Sequence, residues 1–342
     1  MSDKEKKKAD IISVANAAKV SASTVSRYFN HPELLKSSTR RRIDSAVRKQ
    51  GYIRNRAAQT IHGIRSGTIG VLVPTIDHAI FAEVVQAFSD AVETQGFTIL
   101  LASHGYSAEQ EYAVLRKFLE HRVDGVVLTG LEHDEAVFQL IESQAIPAVL
   151  IWNHSEAARL PCIGADNHLA GRLIAEHILS LGHRDIACMF PPVSGNDRAQ
   201  GRKLGVMEAL ANAGVEVRPE WQLETVYSIS ASKRDTSALL SRQKRPSAII
   251  CGNDILATGA LYGAQACGLS VPANVSIVGI GDFKGSSEIE PPLSTVRLPA
   301  VRIGQEAGQA LANAITQKEA GIANLHCMPE LVVRASSARF MD

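Results

Sequence analysis

A chain of 342 residues can hold two or three compact units, since domains typically run to roughly 100–200 residues. Its 45% apolar and 5% aromatic content suits an aliphatic α/β core and excludes a disordered chain. The net charge of +1 conceals a split: residues 1–66 carry 15 Lys/Arg against 5 Asp/Glu, a net of +10, and the remainder carries 21 against 30, a net of −9. A basic segment on an acidic body fits phosphate binding, because clustered cations gain from counterion release. A solvated basic tail accounts only for the first ten residues.

No apolar run approaches the roughly 20 residues of a membrane helix. The start, MSDKEKKKAD, has no apolar stretch behind its lysines, so no secretory signal is expected. Cys162, Cys188, Cys251, Cys267 and Cys327 are odd in number and widely spaced, without a C-x-x-C pair. They read as reduced, mostly buried thiols of a cytoplasmic protein.

The first element is a helix over Ile11–Ala18, with small Ala15 where a second helix packs closely. Lys19-Val20-Ser21 is a short connection whose Val20 plugs the space between helices, and Ser21 or Ser23 can cap the next helix. In that helix Val25 and Phe29 lie one turn apart on one face. Two short helices with such a turn form a helix-turn-helix, whose second helix enters a major groove. A third helix runs from a Ser37/Ser38 cap to Gln50, with Ile43, Ala46 and Val47 as its apolar face and Gly51 just beyond its end.

From Thr68 onward strands and helices alternate. Strands are predicted at Ile69–Val73, Thr98–Ala102, Gly125–Thr129, Ala148–Trp152, Ile186–Phe190, Ala248–Gly252 and Val275–Ile280. Between them lie amphipathic helices such as Phe81–Gln95, Ala108–His121, Ala170–Leu181, Gly205–Ala213 and Leu256–Ala266. The alternation implies an α/β fold of parallel sheets with helices on both faces.

Enzyme signatures are missing. Gly279-x-Gly281-x-x-x-Gly285 lacks the dinucleotide spacing and does not open a helix after a first strand. P-loop, H-E-x-x-H and G-x-S-x-G patterns do not occur. The eleven histidines are scattered, and His183 fits a structural turn, so no metal, cofactor or catalytic residue is expected.

Val14-Ala15-x-x-Ala18-x-Val20-Ser21-x-Ser23-Thr24-Val25-Ser26-Arg27-x-x-Asn30 closely resembles the head of the lactose-repressor (LacI/GalR) family of bacterial transcription regulators. The spacing to Thr39–Ile43 and to Gly51–Ala58 matches too, and the similarity runs through the whole chain. It implies a helix-turn-helix head over 1–66, with a hinge helix at about 55–62, and an effector-binding and dimerisation domain over 67–342. That domain is implied to be two-lobed and periplasmic-binding-protein-like. Lobe one spans about 67–163 and 296–325, and lobe two about 164–295 and 326–342, with crossings near Pro161–Asp166, Pro291–Val296 and Ala323–Met328. The implied partners are a pseudo-palindromic operator in double-stranded DNA, a small-molecule effector and a second copy of the chain. The C-terminal stretch carries no leucine heptad, so dimers are expected.

Carried over residue by residue, Ala22, Ser23 and Arg27 face base edges, and Arg27 is the candidate for a bidentate guanine contact. Ser21, Thr24, Ser26 and Asn30 suit phosphate contacts or capping. Asn55, Arg56, Ala58 and Ile61 belong to the hinge, where Ile61 stands at the minor-groove wedge position. Lys19 occupies a turn position that is usually Gly, and Arg54 replaces the usual Pro. In the effector cleft the resemblance implies Asp77, His78 and Phe81 after the first strand, Trp152 at a later strand end, Arg198 and Arg202 one turn apart on one helix, and Asn253 and Asp254 at a strand-to-helix junction. After Val278-Gly279-Ile280 the family commonly has two acids, the first of them a ligand residue. Here Gly281 takes that place and Asp282 remains. A lost carboxylate beside two retained arginines points to an acidic sugar such as an aldonate, with a neutral sugar or a purine-like metabolite as alternatives.

Overall fold

The computed structural model describes residues 9–54, 65–77, 79–317 and 321–341. The chain divides into two compact units, Met1–Ser66 and Gly67–Asp342.

In the first unit, α1 (Ile11–Ala18) begins with a reciprocal cap: the Asp10 carboxylate accepts from the Ser13 amide at 2.7 Å and the Ser13 hydroxyl accepts from the Asp10 amide at 3.1 Å. Lys19 ends the helix in the left-handed region, at φ 53°. Ser21 caps α2 (Ala22–Asn30), its hydroxyl accepting from the Thr24 amide at 3.2 Å. Helix α3 (Ser37–Gln50) departs from expectation at its start. Lys36 occupies the cap position without a side-chain bond, because Ser37 and Ser38 are already inside the first turn. Val14, Ala15, Ala18, Val25, Ile43 and Ala46 form the core, closed over by Val20, Phe29 and Tyr52. So small a core gains from two polar braces: Gln50 Nε2 donates to the Ser13 carbonyl at 3.1 Å, and the Tyr28 hydroxyl to Asp44 at 3.2 Å. The expected hinge helix, with Asn55, Arg56, Ala58 and Ile61, lies outside the described residues.

The second unit contains two six-stranded sheets. The first has the order β11-β5-β4-β3-β1-β2, from β1 (Thr68–Val73), β2 (Thr98–Ser103), β3 (Gly125–Thr129), β4 (Ala148–Asn153), β5 (Cys162–Ala165) and β11 (Leu325–His326), and all its pairings are parallel. The second has the order β12-β10-β9-β8-β6-β7, from β6 (Ile186–Phe190), β7 (Gln222–Glu224), β8 (Ala248–Cys251), β9 (Ser276–Gly281), β10 (Ser294–Arg297) and β12 (Glu330–Val332). In it only β12 runs antiparallel, against β10.

Connecting helices are α4 (Ala79–Glu93), α5 (Ala108–Glu120), α6 (Glu135–Ser143), α7 (Asn167–Ser180), α8 (Asp197–Asn212), α9 (Ile229–Leu240), α10 (Asp254–Ala266) and α11 (Ala300–Thr316). Central strands such as β3, β6 and β8 are buried at every position, as sheets covered on both faces require. The chain passes between the sheets after β5, after β10 and after β11. The second passage lies beyond Arg297, because β10 extends that far in register with β9. Helix α11 then packs on α4 beneath the first sheet.

Candidate functional site

Parallel strands deliver their C-terminal ends to one region, where loops and helix starts carry the variable side chains. There a cavity of about 450 Å³ opens. Phe81, Tyr106 and Trp152 line it from the first sheet's side. Asn196, Arg198, Arg202, Tyr227, Asn253, Ile255 and Phe283 line it from the second, with Asn167 and Leu298 beside the crossings.

Two helix starts aim its polar groups. Asn196 caps α8, accepting from the Ala199 amide at 3.3 Å, which sets Arg198 and Arg202 one turn apart and facing inward. Gly205 allows α8 to lie directly on α7, since a Cβ there would fall 2.0 Å from the His168 carbonyl oxygen. Asn253 caps α10, accepting from the Leu256 amide at 2.9 Å. The aromatic wall is held under strain. Trp152 and Tyr106 sit at φ 78° and 61°, a region costly for bulky side chains that persists where surrounding packing enforces it. Trp152 meets Phe81 edge-on at 5.8 Å, and burial pushes the Tyr106 hydroxyl up to about 12.

The two arginines differ. Arg198 is neutralised by Asp197 at 2.6 Å and donates to the Thr129 carbonyl at 3.2 Å. Asp197 also accepts from the Leu131 amide at 2.8 Å and from Asn153 at 3.1 Å, so this pair ties α8 to the first lobe. Arg202 is buried and donates to the Tyr227 hydroxyl at 3.4 Å, but among the described residues it forms no ion pair. Its Nε, the Trp152 Nε1 and the Asn167 Oδ1 are all buried without a hydrogen-bond partner. Unsatisfied buried polar atoms are rare in native proteins, and three around one cavity mark a ligand site.

Phe81, Trp152, Arg198, Arg202 and Asn253 thus meet in the cavity. Three candidates do not. Asp254 is sealed beneath it, accepting from the Phe283 amide (3.0 Å) and from the Ser286 and Thr295 hydroxyls (2.6 Å each). Asp282 pairs with Arg297 and Arg334, each at 2.7 Å. Asp77 is exposed in the turn after β1, and His78 lies outside the described residues. Sequence reasoning missed Tyr106, Asn167, Asn196, Tyr227, Phe283 and Leu298. A signal for Phe283 was present at Gly281: with φ 140°, a Cβ there would stand 2.0 Å from the Phe283 ring. The glycine in place of a carboxylate therefore makes room for an aromatic ring.

In the head, Arg27 is exposed, as are Ser21, Ser23 and Asn30, while Ala22, Thr24 and Ser26 are half-buried. The Ser21 hydroxyl lies 2.8 Å from both the Ser23 and Thr24 hydroxyls. Asn30 accepts from Arg54, whose guanidinium stacks 5.5 Å over the Phe29 ring. Arg54, unusual by sequence, therefore braces the recognition helix.

A helix-turn-helix unit and a two-lobed unit with a cleft lined by buried polar side chains define, in one chain, a DNA-binding regulator governed by a small molecule. Residues 10–55 match the bacterial regulatory proteins of the lacI family, and residues 66–334 match the periplasmic binding proteins and sugar binding domain of that family. The chain belongs to the lacI family and is a transcription repressor with an effector-binding domain. It is 30% identical to the HTH-type transcriptional repressor PurR of Proteus mirabilis over 96% of this chain and 97% of that one. The lac repressor dimer bound to operator and the anti-inducer ONPF shares 26% identity, with a TM-score of 0.84, over 97% of this chain and all of that one. Transcription regulator GntR from Chromobacterium violaceum shares 30% identity, with a TM-score of 0.74, over 79% of this chain and 99% of that one. Among the described residues no helix is long and apolar enough to cross a membrane, and no group of three metal-type side chains could hold an ion.

Proposed function

We propose that this repressor binds a pseudo-palindromic operator as a homodimer and that a sugar acid of the aldonate type controls the grip. The observation that carries the effector reading is Arg202, a buried guanidinium without a carboxylate partner among the described residues. A buried charge is costly unless paired, and the acids at hand are committed elsewhere: Asp197 to Arg198, Asp282 to Arg297 and Arg334, Asp254 to its three donors. A ligand carboxylate matches the planar fork of Arg202. Asn253, Asn167 and Asn196 supply donors and acceptors for hydroxyls around it. On the DNA side, the exposed Arg27 suits a guanine edge with Ala22 and Ser23 facing bases beside it, and Ser21, Thr24, Ser26 and Asn30 suit neighbouring phosphates.

Isothermal calorimetry on the full chain, with gluconate-like acids set against their neutral sugars, tests the reading. The acids bind, the neutral sugars bind at least about a hundredfold more weakly, and Arg202→Gln abolishes the preference, as expected for a charge-assisted pair worth about 1.5–3 kcal/mol plus the burial cost of an unpaired cation. Tight binding of neutral hexoses without binding of the acids would overturn it.

A further inference from the structure

Beside the cavity described above lies a second one of about 470 Å³, and Tyr106 and Arg198 line both. Its wall includes His104, Glu111, Thr129 and His133 from the first lobe and Asp197 with Arg198 from α8. Glu111 is a buried carboxylate, held by His133 Nδ1 at 2.9 Å, and the other His133 nitrogen faces the Gly130 carbonyl at 3.2 Å. The His104 side chain is only 9% exposed, and its ring nitrogens find no side-chain partner at hydrogen-bond distance, with only the Ser107 backbone as a polar neighbour. The nearest carboxylate oxygen, on Glu111, is 3.9 Å away.

The lining charges decide what fits. Glu111, Glu132, Asp134 and Asp197 face this cavity against a single guanidinium, Arg198, which Asp197 already neutralises. A second anionic group is repelled here. An ammonium group offers donors only, and so leaves the N–H of a neutral His104 ring without an acceptor. A hydroxyl both donates and accepts, and adjacent hydroxyls can serve His104 and Glu111 together.

We propose that this second cavity is the far compartment of the effector site, taking hydroxyls at the effector's tail while Arg202 takes its carboxylate. This rests on the acidic-effector reading above and extends it: the ligand is a polyhydroxylated acid long enough to pass Tyr106. Arg202 and Arg198 are four residues apart on α8, about 6 Å of helix rise, so a short acid ends on the Arg202 side and a longer one reaches His104. The strained Tyr106 forms the threshold between the compartments.

The test is calorimetry on the full chain with an aldonate series of increasing length, glycerate, threonate, gluconate and glucoheptonate. Affinity rises along the series in the unmodified protein. His104→Phe weakens gluconate about tenfold, the loss of one or two hydrogen bonds to a buried partner, and leaves glycerate within about twofold, so glycerate also reports that the fold is intact. His104→Gln, which keeps a donor and an acceptor, restores most of the length dependence. Equal weakening of glycerate and gluconate, or of neither, overturns the compartment while leaving the acidic reading in place. Tighter binding of 6-aminohexanoate than of gluconate overturns the assignment to hydroxyls. Failure of every acid to bind the unmodified chain overturns the acidic reading, and the compartment with it.

Discussion

The resemblance assigns Asp254 to the ligand, but its carboxylate accepts three internal hydrogen bonds, and we expect it to serve the fold. In Asp254→Ala three donors lose their acceptor at once: the Phe283 amide and the Ser286 and Thr295 hydroxyls. The amide cannot turn elsewhere, and a buried unsatisfied donor costs about 1–3 kcal/mol. The hydroxyls rotate, and each forfeits about 1 kcal/mol. Part of this is offset, because burial pushes the Asp254 carboxyl above its ordinary range despite the three bonds, and removing it relieves that penalty. The net cost is about 2–4 kcal/mol, read as a lower urea midpoint with an unchanged slope. Asp254→Asn keeps an acceptor oxygen and costs about 1 kcal/mol. In both variants effector affinity, measured where the protein is still folded, stays within about threefold, a change under 1 kcal/mol. An Asn variant of unchanged stability whose effector affinity falls a hundredfold would refute this reasoning and return the carboxylate to the ligand.

Two further outcomes follow from the geometry. Lys19 carries a left-handed backbone at φ 53°, which costs an L-residue about 1–2 kcal/mol. Lys19→Gly recovers about 0.8 kcal/mol of this after its own entropy cost, and amide exchange in α1 and α2 slows about fourfold; unchanged or faster exchange contradicts it. His177 and His183 hold the C-terminal segment, through Ser337 at 2.9 Å and the Ala338 carbonyl at 3.0 Å, and burial lowers both rings' pKa values. Depressed folded-state values mean the stabilisation is intact above the unfolded value of about 6.5 and is lost as pH falls below it through the folded values. Hydrogen exchange over residues 336–340 therefore quickens as the pH falls below about 6.5, and His177→Gln/His183→Gln flattens that dependence. An identical profile in the double variant removes the histidines from the account.

The architecture was legible because its signals are periodic and local. Alternating apolar strands and amphipathic helices announced parallel sheets, the resemblance divided them into two lobes, and Asp10, Ser21 and Gly51 sit where helix ends demand their chemistry. Short edge elements such as β7, β11 and β12 escaped notice, since two or three residues carry no period and exist only because a neighbouring strand offers a ladder. The site was legible in part. Arg198, Arg202 and Asn253, which the resemblance assigned to the cleft, do line the cavity, because the starts of α8 and α10 point there. Tyr106 and Tyr227 could not be placed, because each reaches the cavity from a loop whose path depends on distant packing. The resemblance assigned Asp254 and Asp282 to the ligand, and residue type could not show the hydroxyls and arginines that pair with them from 15 to 52 positions away.

The three passages of chain between the sheets also dictate the order in which the molecule can be completed during synthesis. The helix-turn-helix core is closed once Tyr52 has emerged. The first lobe, although most of it is encoded early, takes its last strand from Leu325–His326 and an underlying helix from Ala300–Thr316. At about 5–20 residues per second, its β5 edge waits roughly ten seconds or more for a partner, exposed to other nascent chains. A truncation before residue 325 therefore yields a finished reader of DNA attached to an unfinished sensor.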